Sequence, residues 1–298
     1  MVQLVCQTTQ YLKAFTDTHH PQASFYFNQL IKSKDIKVNG KRVTGDVLLQ
    51  AGDVVCYYLT AKQEQKQAFS TVYEDENVIV IDKDSGVNAE AVYYTLTQTY
   101  SENCRFIHRL DRNTKGLMLF AFGDRAEAEL LLAFKEKRVQ KIYHALCFGT
   151  PKAQSATLTA YLKKDEKRSL AYVYDTPQKG AEKIITEYTV LQQKGDICKL
   201  EITLHTGKTH QIRAHMAHIG CPIVGDMKYG DSATNKAAGQ SRQCLVAKYL
   251  SVRLNGELAY LNAKTFSSNF EVYIAQGASR EDTLRDLAKK YGWEYKEV

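Results

Sequence analysis

Apolar positions in this chain fall in short runs rather than in long amphipathic stretches. Residues 78–81 (VIVI) and 116–122 (GLMLFAF) are unbroken apolar runs of strand length, which predicts strands buried on both faces. Alternation over 139–148 predicts another strand. Residues 184–191 and 197–204 predict two more, joined by a hairpin at 192–196. Near the start, residues 23–32 place Phe25, Leu30 and Ile31 in a pattern that fits a short helix. Asn39-Gly40, set between 36–38 and Val43, predicts a tight hairpin, because both central positions of such a turn need positive φ. Ala51-Gly52-Asp53 marks a turn before an apolar strand over 54–59. A helix is expected from Gly123-Asp124 to about Lys137, with Asp124 as its N-cap, and a second over 208–219, closed by Gly220. Asn255-Gly256 predicts one more hairpin. Leu284, Leu287 and Ala288 sit at helical spacing in a C-terminal helix over 279–291. Strands outnumber helices and hairpins dominate, so the expected class is α+β with a mostly antiparallel, mixed central sheet and flanking helices.

The segment TAKQEQKQAFS is polar, Gln-rich and aperiodic. It reads as a linker over 61–70, between a small α+β module at 1–60 and a large domain at 71–276, with a helical tail at 277–298. A length of 298 residues suits one large domain with a small one. Seven scattered cysteines with no C-x-x-C pair read as reduced thiols, not a disulfide framework or a zinc site. The start, MVQLVCQTTQYLK, lacks a signal-peptide pattern, and no apolar stretch approaches the roughly 20 residues of a membrane span. A cytoplasmic protein with no membrane contact is expected.

The net charge is +7, from 40 basic and 33 acidic residues. This moderate excess admits an anionic partner without requiring one. Placement says more: Lys32, Lys34, Lys37, Lys41 and Arg42 fall together, as do Lys135, Lys137, Arg138 and Lys141, and then Lys163, Lys164, Lys167 and Arg168. One such run alone is a solvated face. Three beside the motifs below fit a surface that tracks phosphates.

Three segments carry candidate chemistry. In IHRLDRNTKGLMLFAF, Asp111 stands between a polar loop and a buried strand, where a rigid element can hold a reactive group at its rim. A turn hydrogen bond, or pairing with Arg109 or Arg112, is the plainer role. In LHTGKTHQIRAHMAHIGCPIVGDMKYG, Gly207 precedes a predicted helix whose first turn holds Lys208, Thr209 and His210, and free N–H groups there favour an anion. Arg213 shares a face with Thr209 and His210, although a surface ion pair would explain it too. In RVQKIYHALCFG, Lys141 and Tyr143 alternate along one strand face. His215 and His218 have no carboxylate or cysteine at ligand spacing, so no metal site is assigned.

HRLDRNT, with a following glycine and apolar strand, resembles the signature of the RluA-like RNA pseudouridine synthases. TGKTHQIRAHMAHIGCPIVGD and the Lys-x-Tyr strand resemble that family's other motifs, in the family's order, over about residues 70–275. KVNGKRV and AGD make the first sixty residues resemble the ribosomal protein S-four-like RNA-binding module, which precedes the catalytic domain in many members. The resemblance implies a catalytic cleft in the large domain. It implies Asp111 as the catalytic aspartate, Tyr143 as the tyrosine that stacks on the base and is placed to take the carbon-5 proton, and Arg213 as the basic partner of Asp111. RNA contacts are expected from His108, Arg109, Lys115, Lys141, Lys208, Thr209 and His210. The basic group at 32–42 (Lys32, Lys34, Lys37, Lys41, Arg42) adds others in the N-terminal module.

The chemistry needs no redox change, phosphate transfer or water, so no cofactor is expected. Asp111 would either attack the anomeric carbon or remove the 2′ proton to give a glycal. The partner expected is ribosomal large-subunit RNA first and transfer RNA second, bound by a monomer. Departures from the family pattern lie at Lys115, at Asp84 in Lys83-Asp84-Ser85-Gly86 where relatives carry a proline, and at Lys208 where an arginine is usual. Those at positions 84 and 115 motivate one alternative, a non-catalytic RNA-binding or ribosome-assembly factor. A metal-dependent hydrolase built on His210, His215 and His218 is the other.

Overall fold

The Asn39-Gly40 turn forms as its residue types dictate, with φ of 50° and 79°. It joins two strands of the N-terminal region in the computed structural model, which describes residues 1–100, 103–237, 242–272 and 274. That region runs β1 (Val2–Val5), β2 (Gln10–Tyr11), α1 (Leu12–His19), α2 (Pro21–Phe25), α3 (Phe27–Ser33), β3 (Ile36–Val38), β4 (Lys41–Arg42), β5 (Leu48–Leu49) and β6 (Val54–Tyr57). The helix expected over 23–32 is two short ones, interrupted at Tyr26 (φ −111°). Strands β1-β6-β3-β4 form an antiparallel sheet. Leu12, Phe15, Leu30, Ile36, Val55 and Tyr57 close a core of their own beneath it.

The 61–70 stretch is less featureless than its composition predicts. Thr60 and Gln63 form a capping box that starts a helical turn, α4 (Ala61–Glu64). There follow β7 (Phe69–Glu74), β8 (Val78–Lys83), α5 (Ala89–Tyr100), β9 (Cys104–Phe106), β10 (Lys115–Phe122) and α6 (Gly123–Lys135). Every residue of β8 is buried, as its apolar run predicts. Asp124 is not the cap of α6. It lies in the first turn, and its carboxylate holds Arg105 at 2.8 Å.

Contacts divide the chain into two compact units. One comprises Met1–Asn113 with Met118–Glu127, the other Thr114–Leu117 with Ala128–Val298. The second unit is built on β11 (Val139–Phe148), β12 (Ser155–Asp165), β13 (Leu170–Tyr174), β14 (Glu182–Lys194) and β15 (Ile197–Leu204). After them come α7 (Gln211–His218), α8 (Ser232–Ala237), β16 (Leu245–Val252) and β17 (Thr265–Ser267). Its strands run β13-β12-β14-β15-β11-β16, all antiparallel, with β17 paired to β16. Lys115 and Gly116, at the start of β10, join β16 in parallel. The architecture is α+β, with a large, mostly antiparallel sheet and flanking helices.

Gly116 is required at this junction. Its φ is +111°, and a Cβ there would lie 2.3 Å from the Ala247 carbonyl oxygen. The tight turn expected at Asn255-Gly256 does not form, and β16 and β17 pair antiparallel across a longer connection. The Glu129 carboxylate accepts the Gly256 and Leu258 N–H groups, so a 3-10 helix (Glu257–Ala263) starts there. A cap supplied from so far along the chain overrides the local turn signal. The C-terminal helix expected over 279–291 lies outside the described residues.

Candidate active site

Asp111 lies in the first unit, half-buried in the loop between β9 and β10. The loop is pinned through its main chain. Lys83, fully buried at the end of β8, donates from Nζ to the carbonyls of Asp84, Val87 and Arg112 at 2.9, 2.9 and 3.1 Å. The Gly86 N–H also donates to the Arg112 carbonyl, and Ser85 Oγ donates to that of Asn113. Ile107 and Leu110 are buried on either side of His108, whose Nε2 accepts the Leu119 N–H at 3.0 Å. Arg112 pairs with Asp17. Arg109 is largely exposed and reaches Glu90 at 2.9 Å. Asp84, where relatives carry proline, does not leave its loop slack. Its Oδ1 accepts the Ser85 N–H at 2.7 Å, and its other oxygen faces Lys66 at 3.6 Å.

Tyr143 and Arg213 lie in the second unit. Tyr143 is buried on β11, opposite Ile202 on one side and Ala247 on the other. The register with β16 breaks between Ile142 and Tyr143, leaving Lys248 as the extra residue. Such bulges re-aim side chains beside functional sites. Lys248 Nζ turns away to the carbonyls of Ser268 and Phe270.

Arg213 is buried on α7. Its Nε donates to Asp226 Oδ2 at 2.7 Å and its Nη2 to Oδ1 at 3.0 Å. This forked pair fixes the guanidinium plane, which also faces the Tyr229 ring at 5.1 Å. Asp226 in turn accepts the N–H groups of Lys228 and Tyr229. Sequence reasoning missed Asp226 and Tyr229. The Gly225-Asp226 pair inside the long motif was the signal available for the first.

Helix α7 begins three residues later than expected. Gln211 Oε1 accepts the Lys208 N–H and the Thr206 hydroxyl, and His210 takes a left-handed conformation at φ 57°. Lys208, Thr209 and His210 therefore form a turn before the helix, and the Lys208 N–H reserved for an anion is already used. Lys208 itself pairs with Glu182, and His210 Nδ1 meets the Tyr229 hydroxyl at 2.8 Å. Thr209 is exposed. Lys115 places its ammonium 4.3 Å from the centre of the Phe270 ring. In the N-terminal region Lys32, Lys34, Lys41 and Arg42 are exposed, and Lys37 sits over the Tyr58 ring at 5.0 Å. Lys37 and Arg42 are register partners across β3 and β4, an unfavourable pairing that an anion would relieve.

The three histidines of the hydrolase reading go to separate partners. His210 meets Tyr229, His215 meets Thr186 at 3.0 Å, and His218 meets Asp175 at 2.8 Å. Among the described residues no group of three or more side chains is placed to hold a metal. Burial, helped by the neighbouring His218 and opposed by Asp175, pushes the His215 pKa down to about 4 from an ordinary 6.5. The sign follows from linkage. The unfolded chain takes up this proton near pH 6.5 and the folded chain only near 4, so the contribution is complete above 6.5 and is lost as pH falls toward 4. Denaturation midpoints measured at pH 7.5 and 4.5 should show a loss of up to about 3 kcal/mol from this group. His215→Gln should remove that part of the dependence, and an unchanged pH profile in this variant would refute the assignment.

The sequence profile of the RNA pseudouridylate synthases matches residues 63–218. An uncharacterized RNA pseudouridine synthase of Chlorobaculum parvum is 31% identical over 225 residues, covering 67% of this chain and 68% of that protein. A ribosomal large subunit pseudouridine synthase C of Rickettsia felis is 30% identical over 229 residues, covering 67% and 75%. Among solved structures, human RNA pseudouridylate synthase domain containing 1 superposes with a TM-score of 0.59 at 22% identity, over 77% of this chain and 89% of that one, a likeness of fold. The chain belongs to the RNA pseudouridylate synthase family. It is an enzyme that isomerises uridine to pseudouridine in RNA. Among the described residues, no helix is long and apolar enough to cross a membrane.

Proposed function

We propose that Asp111, Tyr143 and Arg213 act together on one flipped-out uridine of ribosomal large-subunit RNA. The observation that carries this reading is the way each motif is held. Main-chain anchoring through Lys83 fixes the loop of Asp111, and the Asp226 fork fixes Arg213. Rigid support is what a reactive carboxylate and its cation need.

In the nucleophilic course the Asp111 carboxylate bonds to the anomeric carbon. The bond to N1 breaks, and its electron pair stays on the uracil ring. The freed base turns, carbon 5 bonds to the anomeric carbon, and the carboxylate leaves. Tyr143 receives the carbon-5 proton and N1 gains one, so product and substrate are isomers. In the glycal course Asp111 removes the 2′ proton instead. The guanidinium of Arg213 would pair with the carboxylate as its counter-charge. Extruding the uridine costs a few kcal/mol, offset by stacking on Tyr143 and by phosphate contacts. In this reading residues 1–60 are an S-four-like RNA-binding module that brings Lys32, Lys34, Lys37, Lys41 and Arg42 to the RNA backbone. Residues 71–276 form the catalytic domain, and the enzyme works as a cytoplasmic monomer. The names of relatives that act on the ribosomal large subunit support the choice of RNA.

The test is pseudouridine mapping across all stable RNAs of cells with and without the gene. A large-subunit position that loses the modification is expected. Loss confined to transfer RNA would overturn the choice of substrate.

A further inference from the structure

A groove of about 1070 Å³ opens on the second unit, between the end of α6, the start of β11 and the turn that follows β15. Six basic side chains line it, against a single acid, Glu187, which is held by His205 at 2.8 Å. Arg138 and Lys208 have carboxylate partners of their own, Glu136 and Glu182. Lys135, Lys137 and Arg253 are exposed.

Lys141 differs from all of these. It is half-buried on β11, and burial lowers its pKa. Its ammonium lies 5.4 Å from the centre of the Phe134 ring and close over Gly207, where a Cβ would come within 3.2 Å of Nζ. Among the described residues it has no carboxylate partner. A cation withdrawn from water is normally paired, because desolvation otherwise goes uncompensated. Here an anion from outside the protein can supply the compensating charge, through a groove that is itself strongly positive.

We propose that Lys141 is the centre of a phosphate seat that takes a backbone phosphate of the substrate RNA. Strand alternation puts Lys141 and Tyr143 on the same face, about 7 Å apart along β11. The phosphate so held belongs to the target nucleotide or its neighbour. This placement rests on the reading of Tyr143 as the group that contacts the base. The Lys141 ammonium is already placed by Phe134 and Gly207, so the seat is preformed and costs little ordering when RNA arrives.

Lys141→Met tests the idea, because it keeps the stem and removes the charge. The expected result has two parts. Binding of an unmodified RNA hairpin with a uridine-rich loop weakens about tenfold, and the slope of log K against log salt falls by about one ion. The RNA-free variant melts at the same temperature as the wild type or higher, because a desolvated charge has gone. Lys141→Arg should restore most of the binding. An unchanged affinity and salt slope would overturn the seat. So would a variant destabilised without RNA, since that would mean the charge is already compensated within the protein. If wild-type enzyme modifies no ribosomal RNA, the functional reading fails, yet the salt slope still decides the seat. If Lys141→Met binds normally in an otherwise active enzyme, the seat alone fails.

Discussion

Replacing Asp111 by alanine is expected to cut pseudouridine formation by about four orders of magnitude or more, the loss typical when a group that bonds to substrate is removed. RNA affinity and melting temperature should change little. Neither proposed course runs without the carboxylate. The nucleophilic one needs an oxygen that can bond to the anomeric carbon and leave again, and the glycal one needs a base at the 2′ position. The loop keeps the anchors through the main-chain carbonyls of Arg112 and Asn113 and the ring of His108. The measurement is pseudouridine content of a purified substrate RNA after single-turnover incubation, with RNA binding followed in parallel. A variant that modifies RNA at the wild-type rate would remove Asp111 from the mechanism.

The second large effect concerns Asp226. Asp226→Ala strands the Arg213 guanidinium in a buried position without its forked partner, and it strips the acceptor from the Lys228 and Tyr229 N–H groups. Breaking a buried pair in this way costs about 3–5 kcal/mol, read as a fall in the urea midpoint. Activity falls with it, because Arg213 loses the support that sets its plane. The double variant Arg213→Met with Asp226→Leu separates the two consequences. It should recover much of the stability, since apolar groups of similar volume replace ions well in a core, and it should remain inactive. A double variant that regains activity would show that Arg213 serves only the fold.

What the sequence revealed depended on whether the cause was local. The buried strands at 78–81 and 116–122 and the Asn39-Gly40 turn follow from runs and dipeptides that carry their own physics. The helix at α5, AEAVYYTLTQTY, was not anticipated, because its β-branched and aromatic residues favour strand as readily. Strand β12 was missed although residues 155–162 (SATLTAYL) alternate polar and apolar, a strand signal that the pattern did carry. The tight turn expected at Asn255-Gly256 and the early start expected for α7 fail for another reason, side-chain hydrogen bonds. Glu129 decides the first from far along the chain, whereas Gln211 decides the second locally, by accepting the Lys208 N–H three residues back. The site divides in the same way. Asp111, Tyr143 and Arg213 came from motifs, whereas the fork from Asp226 and the setting of Lys141 in its groove are visible only once the chain is folded.

Lys83 grips its surroundings through carbonyl oxygens, a group that every amino acid presents alike. The lysine's grip is thereby indifferent to which side chains residues 84, 87 and 112 carry. A proline could give way to aspartate at position 84 without unfastening the reactive loop. Such an anchor lets surfaces around a site diversify toward new RNAs while the chemistry underneath holds still.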